Sequence, residues 1–305
     1  MKVSVIIPTY NGAHKILNTL QALVEQTHTP DEIVIVIDGS TDNTAELVEA
    51  NAFSFPELRV VEQDNQGRAV TRNQGAAAAS GDLLIFFDDD MRPLPGCVAE
   101  HVRHHQHQTG TIAVGTQIED FDKCTTDFLR YKALTSRKWM QKYAEASSVK
   151  LNPAEPFITA ANFSLSKALF DQIGGFDSRL TDAEDFDLAM RASEAGIEIY
   201  FLNQAQAWHD DLISCRVYVK RLREYRVAHQ KLAALRPKLY PKYGRFSPPR
   251  PGLLKDAAFS FFAKAQWLNL IDSQNLLVLK PEEVRYKIYD VIITALGVYY
   301  THRPI

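Results

Sequence analysis

The sequence predicts an α/β protein with a mostly parallel β-sheet flanked by helices, followed by a helical C-terminal extension. Two observations lead to this prediction. Short apolar runs of strand length alternate with amphipathic stretches through the first third of the chain, which is the order of βαβ units. One of the runs, residues 83–87, is apolar at every position, as expected for a strand that is buried on both faces of a parallel sheet.

Each predicted element follows from a local pattern. Apolar runs bounded by turn residues predict strands, and they cover residues 3–7, 33–37, 59–62, 83–87, 112–117 and 197–202. Apolar residues at helical spacing predict helices, and they cover residues 16–24, 45–50, 67–79, 96–108, 184–195 and 215–235. Residues 118–156 have a mixed character and are expected to form an insertion that contains a helix.

Three consecutive carboxylates, Asp88, Asp89 and Asp90, follow the strand at 83–87 directly. In an open α/β sheet, ligands bind outside the carboxyl ends of the strands. Three clustered acids repel one another unless a cation lies among them, and an all-oxygen site suits Mg²⁺ or Mn²⁺. The sequence therefore predicts a metal and phosphate site at this sheet edge. The alternative is a solvated turn that caps the next helix.

Composition places the chain among ordinary globular proteins. Its 305 residues carry a formal charge of −3, so a broad affinity for nucleic acid is not expected. Three separated cysteines without a CxxC motif fit a reducing compartment. The N-terminus enters a strand at once, and no apolar run approaches the roughly 18 residues that span a bilayer. These features predict a cytoplasmic protein.

We expect two domains, residues 1–212 and residues 213–305, with a Pro-rich linker near 247–252 inside the second.

Several segments together resemble the family 2 glycosyltransferases, which have the GT-A fold. Five of them close strands or open a helix, and they are residues 4–12, 36–44, 88–90, 174–177 and 183–188. Residues 65–75 and 80–82 also match the family's run before its acidic motif. The order and spacing are those of the family, and the resemblance covers roughly residues 2–210.

The resemblance implies a site for a nucleotide-sugar donor. Its expected members are Pro8, Thr9, Tyr10, Asp38, Arg72, Asp88 and Asp89. Tyr10 would stack on the base, and Asp38 would hydrogen-bond the base or the ribose. Arg72 would balance the charge of the diphosphate. Ile37 stands where the family has a further acid, which leaves the identity of the base open.

The resemblance also implies a metal and a catalytic base. Asp90 would hold Mn²⁺ or Mg²⁺, and His209 matches a late histidine that adds a metal ligand, although a surface histidine is an equal alternative. Asp185 matches the general base that takes a proton from the acceptor hydroxyl, with ordinary helix N-terminal chemistry as the alternative. Attack opposite the leaving diphosphate would invert the configuration.

The implied function is an inverting glycosyltransferase with a nucleotide-sugar donor, a UDP-sugar by family frequency. The acceptor would be a glycan, a lipid-linked sugar or a small molecule. Two other functions stay open: a non-catalytic sugar- or partner-binding protein of the same fold, and a sugar-phosphate nucleotidyltransferase. The latter needs a Gly-rich basic loop, whereas this chain has Pro8-Thr9-Tyr10-Asn11-Gly12 after its first strand. An aspartyl phosphatase acting through Asp88 is a further rival.

Some remaining features receive a structural interpretation. Four histidines on the helix at 96–108 are expected to form a solvated face, and they are His101, His104, His105 and His107. Asn162 matches a family strand beside the donor sugar or is a buried structural residue. The basic helix at 215–235 is expected to have a charged outer face, and contact with phosphate groups of the donor, of a lipid-linked acceptor or of a membrane is the alternative. Aromatic and apolar patches near 259–262 and 290–296 could pack internally, form a homodimer or contact the inner face of a membrane.

Overall fold

A computed structural model describes residues 1–51, 57–244 and 251–305. They form two compact units: the sheet unit, residues 1–119 with 138–210, and the helical unit, residues 120–137 with 211–305. The expected boundary at residue 212, between the first domain and the helical C-terminal region, stays a prediction. The predicted linker near 247–252 falls mostly on residues 245–250, which lie outside the described residues.

The sheet unit contains one sheet, to which nine strands of the described residues belong. They are β1 (Val3–Thr9), β2 (Glu32–Asp38), β3 (Leu58–Gln63), β4 (Leu83–Phe87), β5 (Met91–Pro93), β6 (Ile112–Ile118), β7 (Ser148–Lys150), β8 (Asn162–Ser166) and β9 (Ile199–His209). The spatial order is β3-β2-β1-β4-β8-β6-β9-β5, and β7 pairs with β9. The strands β3, β2, β1 and β4 are parallel, as are β6 and β9, and β8 runs antiparallel between them. The predicted mostly parallel α/β sheet is confirmed.

Helices flank the sheet and make up most of the helical unit. They are α1 (Ile16–Val24), α2 (Thr44–Asn51), α3 (Arg68–Ala78), α4 (Cys97–His107), α5 (Asp127–Met140), α6 (Lys167–Gln172), α7 (Glu184–Glu194), α8 (Cys215–Leu235), α9 (Tyr240–Tyr243), α10 (Leu253–Phe262), α11 (Ala265–Asn269) and α12 (Glu282–Thr294). The helix expected inside the insertion at 118–156 is confirmed as α5. Short 3₁₀ segments occur at Phe121–Lys123, Gln141–Tyr143 and Leu276–Leu279, and π segments at Leu270–Gln274 and Ala295–Tyr299.

The central strands are buried on both faces. Side chains alternate across a strand, so Ile6 and Phe86 pack in the core on one side, whereas Val5 and Ile85 pack in the core on the other. All four have no exposed surface. This two-sided burial explains why β1, β2 and β4 are apolar without alternation. The carboxyl ends of these three strands meet at one edge, where the loops after them can share a site.

The prediction of a solvated histidine face on α4 is wrong. His101, His104 and His105 are at most 7% exposed, and only His107 faces solvent. Both His101 Nδ1 and His105 Nε2 lie within hydrogen-bond distance of Ser164 Oγ, at 2.7 and 2.8 Å. Burial lowers the pKa of His101 to about 4 and that of His105 to about 3, so both rings are neutral. A polar partner inside β8 therefore allows a polar helix face to be buried.

The helical unit has its own apolar core, built from α5, α8 and the helices after residue 251. Asp127 fixes α12 against α5, because Arg285 donates to its carboxylate at 2.7 and 2.9 Å and the Tyr289 hydroxyl at 2.8 Å. On α8, Arg223 and Arg226 donate to backbone carbonyls of Leu296 and Val298, so the predicted charged outer face is only part of this helix. Among the described residues, none of the helices combines the length and apolar character that crossing a membrane requires.

Replacing Gly75 by alanine tests how closely α3 packs on the sheet. A Cβ at this position would overlap Cγ2 of Ile6 on β1 and press on Val36 of β2. We expect Gly75→Ala to lower the free energy of unfolding by about 1–3 kcal/mol, although alanine is the better helix former. Urea denaturation measures the change. Gln74→Ala, at an exposed position of the same helix, is the control and should shift stability by less than about 0.5 kcal/mol.

Candidate active site

The three acids after β4 have three different environments. Asp88 accepts a hydrogen bond from Arg72 Nη2 at 2.6 Å. Asp89 is 7% exposed, and Thr9 and Lys15 contact its carboxylate. Asp90 presents a buried Oδ1 that has no hydrogen-bond partner in the described structure. Asp90 is therefore the acid of this cluster that keeps a buried oxygen open.

Asp89 connects the acids to the loop after β1. Thr9 Oγ1 donates to Asp89 Oδ2 at 2.6 Å, and Lys15 Nζ lies 2.8 Å from Asp89 Oδ1 and 3.4 Å from Asp90 Oδ2. Gly12 is required here because a Cβ would overlap Thr9 Oγ1 and Asp89 Oδ2. Burial raises the pKa of Asp89, with Lys15 opposing it. Lys15 therefore offsets the repulsion between Asp89 and Asp90.

Arg72 joins the acids to α7. Arg72 is 2% exposed, and its guanidinium bonds Asp88 through Nη2 and Glu184 through Nη1, the latter at 2.5 Å. Burial alone would lower the pKa of Arg72, but the two carboxylates outweigh burial and raise it, so the group stays charged. Burial would likewise raise the pKa of Asp88, and Arg72 reverses this and lowers it. The bridge brings the strand-end acids and the start of α7 into one site.

Asp185 lies next to this bridge at the first turn of α7. Its Oδ1 accepts the backbone N–H of Phe186 at 2.7 Å. The preceding Ala183 is fully buried with φ of 59°, a left-handed conformation that alanine rarely adopts and that marks a constrained turn. Burial, together with the negative charge of Glu184, raises the pKa of Asp185 to about 7. A carboxyl group with this pKa can exchange a proton near neutral pH.

Removing Arg72 should strongly destabilise the sheet unit. Arg72→Met leaves Asp88 and the buried Glu184 without their cation, and breaking a buried ion pair in this way costs about 3–5 kcal/mol. Guanidinium denaturation at neutral pH measures the loss. Arg68→Met is the matched control, since Arg68 is exposed on the same helix. A loss below about 1 kcal/mol for Arg72→Met would contradict the bridge.

The ends of β5 and β9 create the setting for a metal. Met91 pairs with His209 across the antiparallel β5–β9 ladder, so that Asp90 and His209 become neighbours with Oδ1 3.8 Å from Nε2. Arg92 fixes the end of β9 by donating to Asp210 at 2.5 and 3.0 Å. The unpartnered Oδ1 of Asp90 and the imidazole are donors that fit a divalent cation. In the described ranges no three His, Cys, Asp or Glu side chains gather as a complete metal site, so other ligands would be needed.

The loops after β1 and β2 are tied together where the donor base is expected. Asn11 has φ of 50°, its Oδ1 accepts the N–H of Thr41 at 2.7 Å, and its own N–H donates to Ser40 Oγ. Asp38 Oδ1 accepts the N–H of Gln66 at 2.8 Å, and Oδ2 that of Gly67 at 2.9 Å, so this carboxylate also orders the loop before α3. Its contact with a base or ribose stays a prediction.

The other predicted donor residues are divided between surface and interior. Tyr10 is 52% exposed, so its ring is open to a ligand, and Pro8 is partly exposed. Thr9 is buried and donates to Asp89. Arg72 is buried and donates to both Asp88 and Glu184. Contacts of these residues with a nucleotide remain predictions.

Asn162 has a structural environment. It is fully buried on β8, its Oδ1 lies 2.9 Å from His101 Nε2, and its Nδ2 donates to the carbonyls of Thr116 and Ala205. Between the two interpretations that the sequence left open, these contacts favour the buried structural asparagine.

Two members of the site received no role in the sequence analysis. Lys15 has no motif of its own, and only its position after the Asn11-Gly12 turn hints that it faces the acids. Glu184 lies in a quoted motif, but its partner Arg72 is 112 residues away in sequence. Neither contact is readable from local pattern.

Comparisons with known proteins agree with this geometry. The model of "Glycosyl transferase family 2" matches residues 4–174. The chain is 27% identical to "Glycosyltransferase AglE" of Haloferax volcanii over 211 residues, which are 68% of this chain and 66% of that protein. It is 35% identical to the "Uncharacterized glycosyltransferase YfnE" of Bacillus subtilis over 116 residues, 38% of this chain and 30% of that protein. The chain thus spans between about a third and two thirds of the length of these curated relatives.

Solved structures share the fold. The mannosyltransferase PcManGT from Pyrobaculum calidifontis, in complex with GDP-Man and Mn²⁺, aligns with a TM-score of 0.62 at 19% identity over 98% of this chain and 87% of that one. TarS 1–349 of S. aureus, in complex with UDP-GlcNAc, aligns with a TM-score of 0.55 at 20% identity over 99% and 92%. At these identities the likeness shows the fold.

The parallel strands β3, β2, β1 and β4 are joined through the antiparallel strand β8 to the parallel pair β6 and β9, and three acids follow β4. This arrangement defines a protein of the GT-A class. Since the family model covers more than half of its residues, the chain belongs to glycosyl transferase family 2.

Proposed function

We propose that this protein is an inverting, metal-dependent glycosyltransferase that moves a sugar from a nucleotide-sugar donor to a hydroxyl group of its acceptor. Arg72 is the main support for this assignment. Its guanidinium bonds Asp88 at the end of β4 and Glu184 at the start of α7. The acids after β4 and Asp185 therefore belong to one site.

The donor is assigned to the edge where β1, β2 and β4 end. Tyr10 offers an exposed ring for the base, and Asp38 and Asp88 would receive the hydroxyls of the nucleoside. A UDP-sugar is our first choice. Solved structures of the same fold were obtained with UDP or UDP-GlcNAc and with GDP-Man, and this choice among them follows the frequency of UDP-sugars as donors in the family.

A divalent cation, Mn²⁺ or Mg²⁺, is assigned to Asp90 and His209. Solved relatives of this fold were obtained with Mn²⁺. When bound, such an ion supplies Lewis-acid stabilisation of the charge that grows on the leaving diphosphate. Two protein ligands suffice because these ions commonly take their remaining ligands from phosphate oxygens and water.

Asp185 is assigned as the general base. Its carboxylate would accept the proton of the acceptor hydroxyl while that oxygen forms a bond to the anomeric carbon and the bond from this carbon to the diphosphate breaks. Attack from the face opposite the diphosphate inverts the anomeric configuration in one step. Arg72, Glu184 and Lys15 would hold the carboxylates in place without taking part in proton transfer.

The product anomer tests this assignment. The protein is incubated with Mn²⁺, one of several α-linked nucleotide sugars and a mixture of simple sugar and lipid-mimetic acceptors, and nucleoside diphosphate release identifies the productive pair. The anomeric proton of the product, observed by NMR, should then show a β linkage. An α-linked product would contradict inversion, and the absence of metal-dependent diphosphate release with every donor would contradict the proposed function.

The pH dependence of catalysis should follow Asp185. Only the deprotonated carboxylate can accept a proton, and its pKa is about 7. We therefore expect kcat/KM to rise about tenfold per pH unit below neutrality and to level off above it. Initial rates with a fixed donor and acceptor measure this profile between acid and mildly alkaline pH. A profile that is flat through neutrality would count against Asp185 as the base.

A further inference from the structure

Charge is divided unevenly between the two units. The sheet unit carries 13 lysines and arginines against 27 aspartates and glutamates, a formal charge of −14. The helical unit carries 21 against 10, a formal charge of +11. The overall charge of −3 conceals this division. A strongly basic unit within an acidic protein indicates a negatively charged partner.

The same unit exposes an apolar stripe on α10. Leu253 and Leu254 are 91% and 90% exposed, and Phe261 is 54% exposed. Leu254, Ala258 and Phe261 are spaced four and three residues apart, so they share one face of the helix. Single exposed leucines are common on protein surfaces and need no explanation. Two neighbouring leucines that are almost fully exposed add nothing to the folded core, and exposed apolar patches of this kind mark interaction sites.

The inner face of α10 holds the helix in place. Phe259 stacks on Tyr299 with ring centroids 4.8 Å apart, and Phe262 lies 4.9 Å from Trp267. Both phenylalanines pack against the core of the helical unit. The acid of the first turn, Asp256, accepts the hydroxyl of Tyr300 at 2.8 Å. The exposed stripe is therefore presented by an anchored helix.

Lysines accompany the stripe. Lys255 follows the two leucines, and Lys264 lies with its Nζ 5.3 Å from the ring centroid of Phe261. A second exposed pair, Leu279 and Lys280, repeats the combination, with Leu279 81% exposed. Apolar side chains flanked by lysines are the pattern of surfaces that insert shallowly between lipid head groups.

We propose that α10 docks the helical unit onto the surface of an anionic lipid bilayer, with Leu253, Leu254 and Phe261 entering the head-group region. Lys255 and Lys264, which lie beside these side chains, then add electrostatic attraction to the negative surface. Two copies of a unit with a charge of +11 repel each other, so a dimer through this face is disfavoured. A nucleic acid would be held by the charges alone and would leave the leucines unused.

Vesicle flotation of the full-length protein tests the docking. The protein should float with vesicles of equal parts phosphatidylcholine and phosphatidylglycerol and stay at the bottom with phosphatidylcholine alone. The double substitution Leu253→Asp/Leu254→Asp should lower binding to the anionic vesicles by at least about tenfold. Both leucines are about nine-tenths exposed, so folding is preserved, as circular dichroism would verify.

Two controls separate insertion from charge. Val217→Asp/Val227→Asp adds the same charge at exposed positions of α8 and should leave most of the binding intact. Leu253→Trp/Leu254→Trp should bind at least as well as the parent. Equal losses in both aspartate pairs, equal binding to neutral vesicles, or retention on heparin without vesicle binding would each overturn the proposal. Sugar transfer in solution is not part of this test, so its outcome is independent of the proposed function.

Discussion

Replacing Asp185 by asparagine is expected to lower sugar transfer by about 10²- to 10⁴-fold, the usual contribution of a general base. Asparagine has nearly the same shape but cannot accept a proton. The side chain of Asp185 receives only the N–H of Phe186 among the described hydrogen bonds, so the fold should tolerate the change. Steady-state transfer rates measure the effect, and calorimetric titration with nucleoside diphosphate should give an unchanged affinity.

Glu194→Gln is the matched control for Asp185→Asn. Glu194 is an exposed acid at the other end of the same helix, and its neutralisation should leave the rate within about twofold, as expected for a surface change. Transfer that survives in Asp185→Asn would exclude this residue as the base. If both transfer and nucleotide binding were lost, the residue would instead support the structure of the site.

The second large effect is expected for Asp90→Asn. The substitution would remove a charged ligand from the metal site that we propose for Asp90 and His209. Lewis-acid stabilisation is worth several kcal/mol, so transfer should fall on the order of 10²- to 10³-fold. Higher Mn²⁺ concentrations should recover part of the activity. Rates measured as a function of Mn²⁺ concentration, after treatment with a chelator, reveal both changes.

Asp171→Asn is the control for Asp90→Asn, since Asp171 is an exposed acid of the same unit on α6. Its Mn²⁺ dependence should match that of the parent protein. If chelation leaves the rate of the parent unchanged, the metal assignment is wrong, whatever the substitution does.

The sequence allowed the sheet to be predicted because burial on both faces leaves a strong signal. Residues 83–87 have no polar position, and β4 has these bounds in the structure. Signals were weaker where strands are short or pair with distant partners. The strands β5 and β7 have three residues each, and β8 interrupts the parallel order, so none of them follows from local periodicity.

The histidines of α4 show why burial can be misread. A helix face rich in histidine resembles a solvated surface, but Ser164 on β8 supplies a hydrogen-bond partner for two of the rings. Burying polar groups is tolerated when they are hydrogen-bonded. The pairing of β8 with β4 and β6 brings this partner under the helix, and the pattern within residues 96–108 contains no trace of it.

The acids of the site were identifiable from their place after a buried strand, whereas their partners were not. The guanidinium of Arg72 lies between Asp88 and Glu184, and its contact with a diphosphate stays a prediction. Lys15 reaches Asp89 and Asp90 from 74 and 75 residues earlier in the chain. Such ion pairs depend on the fold, because the parallel strands bring distant loops to one edge.

Thermal unfolding with nucleotides tests the central claim most directly. The protein is heated with UDP, GDP, dTDP or CMP, each with and without Mn²⁺, and Asp90→Asn is measured in parallel. A ligand that binds only the folded state stabilises it by about 2.7 kcal/mol at a hundredfold excess over its dissociation constant. We expect one nucleoside diphosphate, UDP first, to raise the Tm only with Mn²⁺ and to lose this effect in Asp90→Asn. No shift with any nucleotide, or a shift that is independent of Mn²⁺, would contradict a metal-dependent nucleotide-sugar site.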